Sequence, residues 1–578
     1  MFKRRVCLAL ILCLIWAGTG ARAECAVVLE DHDILRFERQ LFSVPRGGAL
    51  EAVVYVPEGW RVTGANIENW TVSPQSGESV NGYIKYMLRV TEIEYPVLIR
   101  LEAKRAGVLR YHLPDGNEIT VTDTSGRARV NTLKWSAEYD REGYTLTGWR
   151  AEGGEEIGLG SRADVTEDGT ELTGVYMEWT AEGCFDFEES PDGLILTECR
   201  AEGTIVIPGA VGGQKVTGIA KGAFGDLQAE MLVLPPTMKK IEAGAFDSLD
   251  VAQLVFFDNL SGLDGMCGGT CRIGRLCVNA AREPVWGGSY WAAFPEKMDY
   301  LMSLKGRKKL ILLGGSGVRF DYDCAKLEEA LEGIFAANMG VYAYGNMRPQ
   351  AEMILGLAEA GDILLSSPEM DAIDMQFCAS CELDVSIFRM TEENYDLLKM
   401  LDWSGYTGIF AAWDEYQAGR EKMEETGYDL LPSQFDEDGK YTASPSYDRW
   451  GDYILYRENN VNGGCFGVKR ATMAPRYVTE ADIAGLNRVY DAFAAKGVAV
   501  LYAWSPRNRE SLTEDSTEEN RTALESMLAE KLHAEMITHV EDALIDPLYF
   551  YGTDNHLSTE GAARHTEKMA AAVKEALE

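Results

Sequence analysis

Two short stretches near opposite ends of the last third to half of this sequence carry the residues best suited to covalent chemistry. Lys309-Leu310-Ile311-Leu312-Leu313-Gly314-Gly315-Ser316-Gly317 sets a glycine-flanked serine at the end of an apolar run. Thr553-Asp554-Asn555-His556-Leu557-Ser558-Thr559-Glu560-Gly561 sets an acid and an imidazole in a polar turn that feeds a final helix. A serine hydroxyl becomes a nucleophile only beside a base, and a histidine base works best when an acid fixes its tautomer. The reading is therefore Ser316 as nucleophile, His556 as base and Asp554 as orienting acid. Gly314, Gly315 and Gly317 allow a sharp turn and close approach of a substrate. Backbone amides at such a strand-to-helix turn are partly unpaired, so those of Ser316 and Gly317 are expected to hold an oxyanion.

Other chemistries fit less well. The glycine run does not complete G-x-G-x-x-G, because Phe320 stands at the last position, and no P-loop lysine follows. Gly463-Gly464-Cys465-Phe466-Gly467 offers a cysteine elbow, but the polar Glu458–Asn462 precedes it where a buried strand is required. Of the six histidines, His533, His539 and His565 fall on expected helices, where a surface position is the default. Cys378-Ala-Ser-Cys381 is a lone C-x-x-C, and the twelve cysteines form no repeated zinc pattern. Cys184–Cys199 and the Cys267, Cys271, Cys277 cluster are the favoured disulfide candidates of an exported chain. No metal and no organic cofactor is expected.

The elements that must position Ser316 and His556 are strands alternating with helices from about residue 275 onward. Lys309–Leu313 is apolar throughout, as in a parallel strand buried on both faces. Gly361–Glu369, Gly408–Ala412 and Gly497–Trp504 are further expected strands; Leu327–Phe335, Glu352–Glu359, Glu480–Ala494 and Glu518–Leu532 are expected helices. This alternation predicts a C-terminal α/β three-layer sandwich with a parallel, flavodoxin-like sheet over 275–578, in which ligands bind at the carboxyl ends of the strands.

Ahead of it the chain reads as smaller β modules, so the fold class is multidomain. Lys3, Arg4 and Arg5, the apolar Val6–Ala17 and Ala21-Arg22-Ala23 have the three-part form of a secretory signal peptide over 1–23. Period-two alternation over 24–120 predicts a β-rich domain. Residues 121–182 contain Gly143-Tyr144-Thr145-Leu146-Thr147-Gly148-Trp149 and end on Val175-Tyr176-Met177-Glu178-Trp179. Over 183–265, Ile219-Ala-Lys-Gly-Ala-Phe224 recurs as Ile241-Glu-Ala-Gly-Ala-Phe246, 22 residues on. Leu232-Val-Leu-Pro235 recurs as Leu254-Val-Phe-Phe257 at the same offset, the mark of stacked leucine-rich units capped by neighbouring domains. A formal charge of −36 works against sequence-independent binding of nucleic acid or anionic lipid.

These motifs carry three resemblances. The 22-residue units resemble BspA-type leucine-rich repeats of bacterial surface proteins, and residues 121–182 resemble the β-grasp-like repeat of listerial internalins. The order Ser…Asp…His over 275–578 resembles the SGNH or GDSL hydrolases, in the cell-surface branch to which the D-alanylation protein DltD is related. Asn279-Ala280, Gly361-Asp362-Ile363, Trp450-Gly451-Asp452-Tyr453 and Ser505-Pro506-Arg507-Asn508 also match that branch. The resemblance implies a Ser316–His556–Asp554 triad and an oxyanion amide at Gly340 or Gly345. Two departures stand out. The acid lies two residues before the histidine where the family has three, and Ser367-Pro368-Glu369 stands where the family has an oxyanion asparagine. An ionised glutamate cannot donate a hydrogen bond. The expected activity is a secreted or cell-surface serine esterase that removes acyl groups, acetyl above all, from a carbohydrate or cell-envelope polymer. The alternatives are an O-acyltransferase on the same scaffold and a non-catalytic surface binding protein, with the N-terminal modules contacting a surface protein or glycan. No transmembrane segment is expected after signal cleavage.

Overall fold

The computed structural model describes residues 24–67, 69–75, 82–123, 126–130, 141–166, 168–267, 271–286, 291, 293–342, 347–369, 380–426, 450–453, 456–460 and 469–578. The segment 1–23 expected to be a signal peptide, together with Gly345, Cys378 and Cys465, lies outside the described residues. The chain folds as two compact units, the first built from residues 1–111, 118–128 and 163–172 and the second from 112–117, 129–162 and 173–578. The first unit is antiparallel β structure in which Gly48–Pro57 pairs along its length with Tyr83–Ile93. Leu50, Ala52, Val54 and Val56 point to one buried face of that ladder, so the two-residue alternation of the sequence becomes one side of a core.

In the second unit the 22-residue period becomes a parallel ladder. Gln228 pairs with Asp250 and Leu232 with Leu254, and the same offset continues from Leu254 to Leu276. The stack is therefore longer than the 183–265 expected from sequence and runs through Leu276–Asn279. Its extra unit keeps an apolar Leu263 one period after Ile241 but replaces the alanine–phenylalanine turn, which hid it. Strand Tyr144–Ala151 and the Trp179 side chain, whose Nε1 donates to Thr145 Oγ1 at 2.9 Å, belong to the module that lies over this sheet. Met177 and Trp179 pack on Val206, Val233, Val255 and Cys277 of the ladder. At one side of the ladder the Thr180 amide donates to Val206 O at 3.0 Å; at the other the Leu159 amide donates to Asn279 Oδ1 at 3.1 Å.

The C-terminal region holds a five-stranded sheet in the order Phe335–Asn338, Lys309–Leu313, Ile363–Ser366, Ala499–Tyr502, Glu535–Met536, with all neighbours parallel. In chain order this is 2-1-3-4-5, so the direction of winding reverses between Lys309–Leu313 and Ile363–Ser366. A crevice opens at the carboxyl ends of strands on either side of such a reversal, and Ser316 follows directly from one of them. Helices Met347–Leu357, Glu480–Ala495 and Glu518–Lys531 lie close to their expected places. Glu480–Ala495 starts on a reciprocal cap between Thr479 and Asp482, which satisfies two otherwise unpaired amide donors.

Three local expectations are corrected. Gly408–Ala412, read as a strand, opens the helix Ile409–Thr426, because Trp413, Tyr416 and Arg420 continue at helical spacing onto a buried face. The helix expected over Leu327–Phe335 spans Cys324–Ala330, and Phe335 begins the edge strand. The disulfide candidates Cys184, Cys199, Cys267, Cys271 and Cys277 are free thiols. A hydrogen bond between the Cys267 and Cys271 thiols, the largest influence on each, pushes the first pKa up and pulls the second down.

A buried ion cluster locks the repeat stack to the α/β region. Arg420, fully enclosed, pairs with Glu392 at 2.5 Å and stands 3.6 Å from Asp258, while Glu392 accepts from the Val285 and Trp286 amides at 2.9 Å each. Asp258 follows strand Asp250–Phe257 of the repeat stack and Glu392 belongs to the α/β region, so one guanidinium holds both. Removing one partner leaves uncompensated buried charge, which costs about 3–5 kcal/mol. Arg420→Ala should therefore lose about that much stability in urea denaturation of the whole chain; a loss below about 1 kcal/mol would show that the cluster does not hold the parts together.

Candidate active site

Ser316 is the first residue of the short helix Ser316–Asp321, which leaves strand Lys309–Leu313 through Gly314 and Gly315. Gly314 is required there because an added Cβ would stand 2.6 Å from Ser367 O. Gly340 is required for the same reason, since its Cβ would press within 2.6 Å of Gly315 O. The turn is thus wedged between the neighbouring strand and the Met339–Gly340 loop, and the serine's place is set by backbone.

His556 comes to Ser316 from 240 residues away: Nε2 stands 2.8 Å from Ser316 Oγ. Its loop is clamped at several points. The Leu557 amide donates to Asp321 Oδ1 at 2.7 Å, and Arg457 donates to Leu557 O at 2.9 Å and to Phe320 O at 2.7 Å. The imidazole stacks on Phe320 with ring centroids 4.2 Å apart and planes 19° from parallel. Ser558 then caps the last helix, Thr559–Leu577, by accepting from the Gly561 amide. A histidine and a serine at this distance can exchange the hydroxyl proton, the geometry that a nucleophile and its base require.

Asp554 takes a different place from the one expected. Its buried carboxylate lies 3.4 Å from Arg470 and 3.7 Å from Arg507, and its own carbonyl accepts from the Asn508 amide. Among the described residues no carboxylate hydrogen-bonds the His556 ring. Two guanidiniums claim the acid, and the turn that aims His556 at Ser316 aims Asp554 at the Arg507–Asn508 strand. The buried acid tied to the histidine loop is Asp321. It acts on the Leu557 backbone, and burial pushes its carboxyl well above the usual range despite that bond. Sequence spacing could not reveal it, because its partner is a main-chain amide 236 residues on. The stacked Phe320 and the carbonyl-binding Arg457 were equally silent.

Of the expected oxyanion donors, Gly317 and its neighbour Gly315 donate their amides to Glu369, Gly315 to Oε2 at 3.1 Å and Gly317 to Oε1 at 2.5 Å. The Gly340 amide donates to Asn338 Oδ1 at 3.0 Å. Asn338 also donates to Val318 O and to Asp452, so it braces the wall behind Ser316. Lys297 completes that wall by donating to the carbonyls of Asn338, Gly340 and Gly451. Burial pushes the Glu369 carboxyl above the ordinary range, while the two amides and Arg507 pull against it.

The histidines on expected helices also divide. His533 and His539 are exposed beside Asp491 and Glu525, but His565 lies on the buried face of the last helix, edge-on to Tyr322 at 4.9 Å. It lacks any hydrogen-bond partner at Nε2 among the described residues, and its place is that of a packing side chain.

No family model and no curated protein matches this chain. The weight of any functional reading therefore falls on the geometry.

Withdrawal from water, then the guanidiniums of Arg457, Arg507 and Arg319, push the pKa of His556 down to about 3. A histidine lowered in this way stays neutral, and free to accept a proton, at every pH above that value. Its ring resonances, assigned with a His556→Gln chain, should not move between pH 8 and about 4.5, whereas those of His539, raised by its hydrogen bond to Glu525, should titrate above the ordinary histidine value. Movement of the His556 resonances near pH 6.5 would contradict a ring that stays neutral there. For the acid, loss of a triad aspartate costs about 10⁴ in turnover. Because Asp554 faces arginines, Asp554→Asn should change the p-nitrophenyl acetate rate by less than about tenfold; a loss approaching the triad value would return Asp554 to the histidine.

Proposed function

We propose that this chain is a secreted or cell-surface serine esterase of SGNH type, acting on acyl groups, acetyl above all, of a carbohydrate or cell-envelope polymer. The observation that carries the reading is the 2.8 Å approach of His556 Nε2 to Ser316 Oγ at the carboxyl end of the parallel sheet. The strand order 2-1-3-4-5, with the serine at the reversal, supports the SGNH-like assignment of the α/β region. Export rests on the signal-like N-terminus; among the described residues no helix is long and apolar enough to cross a membrane.

In this reaction Ser316 Oγ attacks the acyl carbon as His556 Nε2 takes the hydroxyl proton. The carbon–oxygen bond to the sugar alcohol then breaks, and His556 returns the proton to the departing oxygen. Water attacks the acyl-serine and gives a proton to His556; the bond from the acyl carbon to Ser316 Oγ then breaks, His556 returns the proton to Oγ, and the carboxylic acid leaves a restored Ser316. A sugar hydroxyl in place of water would make the same site a transferase. This reaction calls on no metal or organic cofactor. Phe320, Asp321 and Arg457 hold the base in place where the family relies on an acid at its ring.

A non-catalytic binding role is the second reading, and two observations favour it: no carboxylate meets the His556 ring among the described residues, and Glu369 occupies amides of the nucleophile turn. Turnover separates the two. The wild-type chain should hydrolyse p-nitrophenyl acetate, and Ser316→Ala should lower that rate by about 10³-fold or to background. Equal rates would leave only the binding reading.

A further inference from the structure

The end of strand Ile363–Ser366 lies beside the end of Lys309–Leu313, with Leu313 opposite Ser366 and the Ser367 amide donating to Leu313 O at 2.8 Å. The two strands therefore bring Glu369 and Ser316 side by side, each three residues beyond its strand. Glu369 is 2% exposed. One carboxylate oxygen accepts from the amide before Ser316 and the other from the amide after it. Gly317 makes room for this, because a Cβ there would stand 3.0 Å from Glu369 Oε1 and 3.1 Å from Ser505 Oγ. The Ser505 hydroxyl is itself buried and has no hydrogen-bond partner among the described residues.

Successive backbone amides at a tight turn form a concavity that binds anions, and the same donors serve an acyl oxyanion in transfer chemistry. A carboxylate already seated there competes for them directly, since one amide hydrogen cannot serve two anions at full strength. We propose that Glu369 is an internal occupant of the oxyanion seat formed by the amides around Ser316 and the Ser505 hydroxyl, so that the enzyme rests in a latent form and turns over only when this side chain leaves. The inference rests on the esterase reading. It assigns to Glu369 the part of a rate-setting residue, distinct from a prop for the turn. A prop would be needed for activity, whereas an occupant opposes it.

The two roles predict opposite signs. Glu369→Gln keeps the shape but sets an amide donor against one backbone amide, and Glu369→Ala empties the seat. Both should raise kcat/KM for p-nitrophenyl acetate at least tenfold over wild type and speed labelling by a fluorophosphonate to match. Adding Ser316→Ala to either should abolish the gain. Wild-type turnover with equal or slower variants would overturn the occupant while leaving the esterase standing. Absence of turnover and labelling in wild type and variants alike would overturn both. A Glu369→Gln chain that no longer melts cooperatively would assign the carboxylate to structure, and the proposal would fail on that result too.

Discussion

The hydrogen bond from the Leu557 amide to the buried Asp321 carboxylate is the constraint on which the candidate site depends. Asp321 ends the helix that begins with Ser316, and Leu557 follows His556, so one bond of 2.7 Å fixes both partners of the proposed reaction at once. Arg457 reinforces it by binding the carbonyls that neighbour each of them. An acid in this position does its work on the main chain and leaves the imidazole ring to stacking. A ring steered in this way is oriented without acquiring a compensating negative charge, and withdrawal from water, together with three nearby guanidiniums, holds its pKa down at about 3.

Much of the scaffold was legible in the residues because it obeys short periods. The alternation in Leu50–Val56 became one face of an antiparallel ladder, and the offset between Leu232 and Leu254 became a strand register. The unbroken apolar run Lys309–Leu313 became the buried strand that ends at Ser316. Where periodicity was ambiguous, tertiary context decided. Gly408–Ala412 is as apolar as a strand, and only the burial of Trp413, Tyr416 and Arg420 further along makes it the start of a helix. The short strands Phe335–Asn338 and Glu535–Met536 are too brief to show a period at all.

The site was legible in its residue types and less so in its pairings. A serine at a strand end and a histidine before a final helix are patterns of local sequence, and the structure brings them together. Which carboxylate serves the histidine loop is a long-range fact: Asp554 is near His556 in sequence but faces Arg470 and Arg507, while Asp321 is distant in sequence and touches the loop. Glu369 stood out in the sequence only as an inability to donate. Its role as an acceptor for the amides on either side of Ser316 needed coordinates.

The module lying over the repeat ladder touches it at Val206 on one side and at Asn279 on the other. A strap fixed at both margins measures what lies beneath it. Open solenoids lengthen or shorten by whole units because each contacts only its neighbours. Here an inserted or deleted unit would shift one margin by a strand width, about 4.8 Å, and part the strap from its anchor. The strap thereby opposes any change in the number of coils.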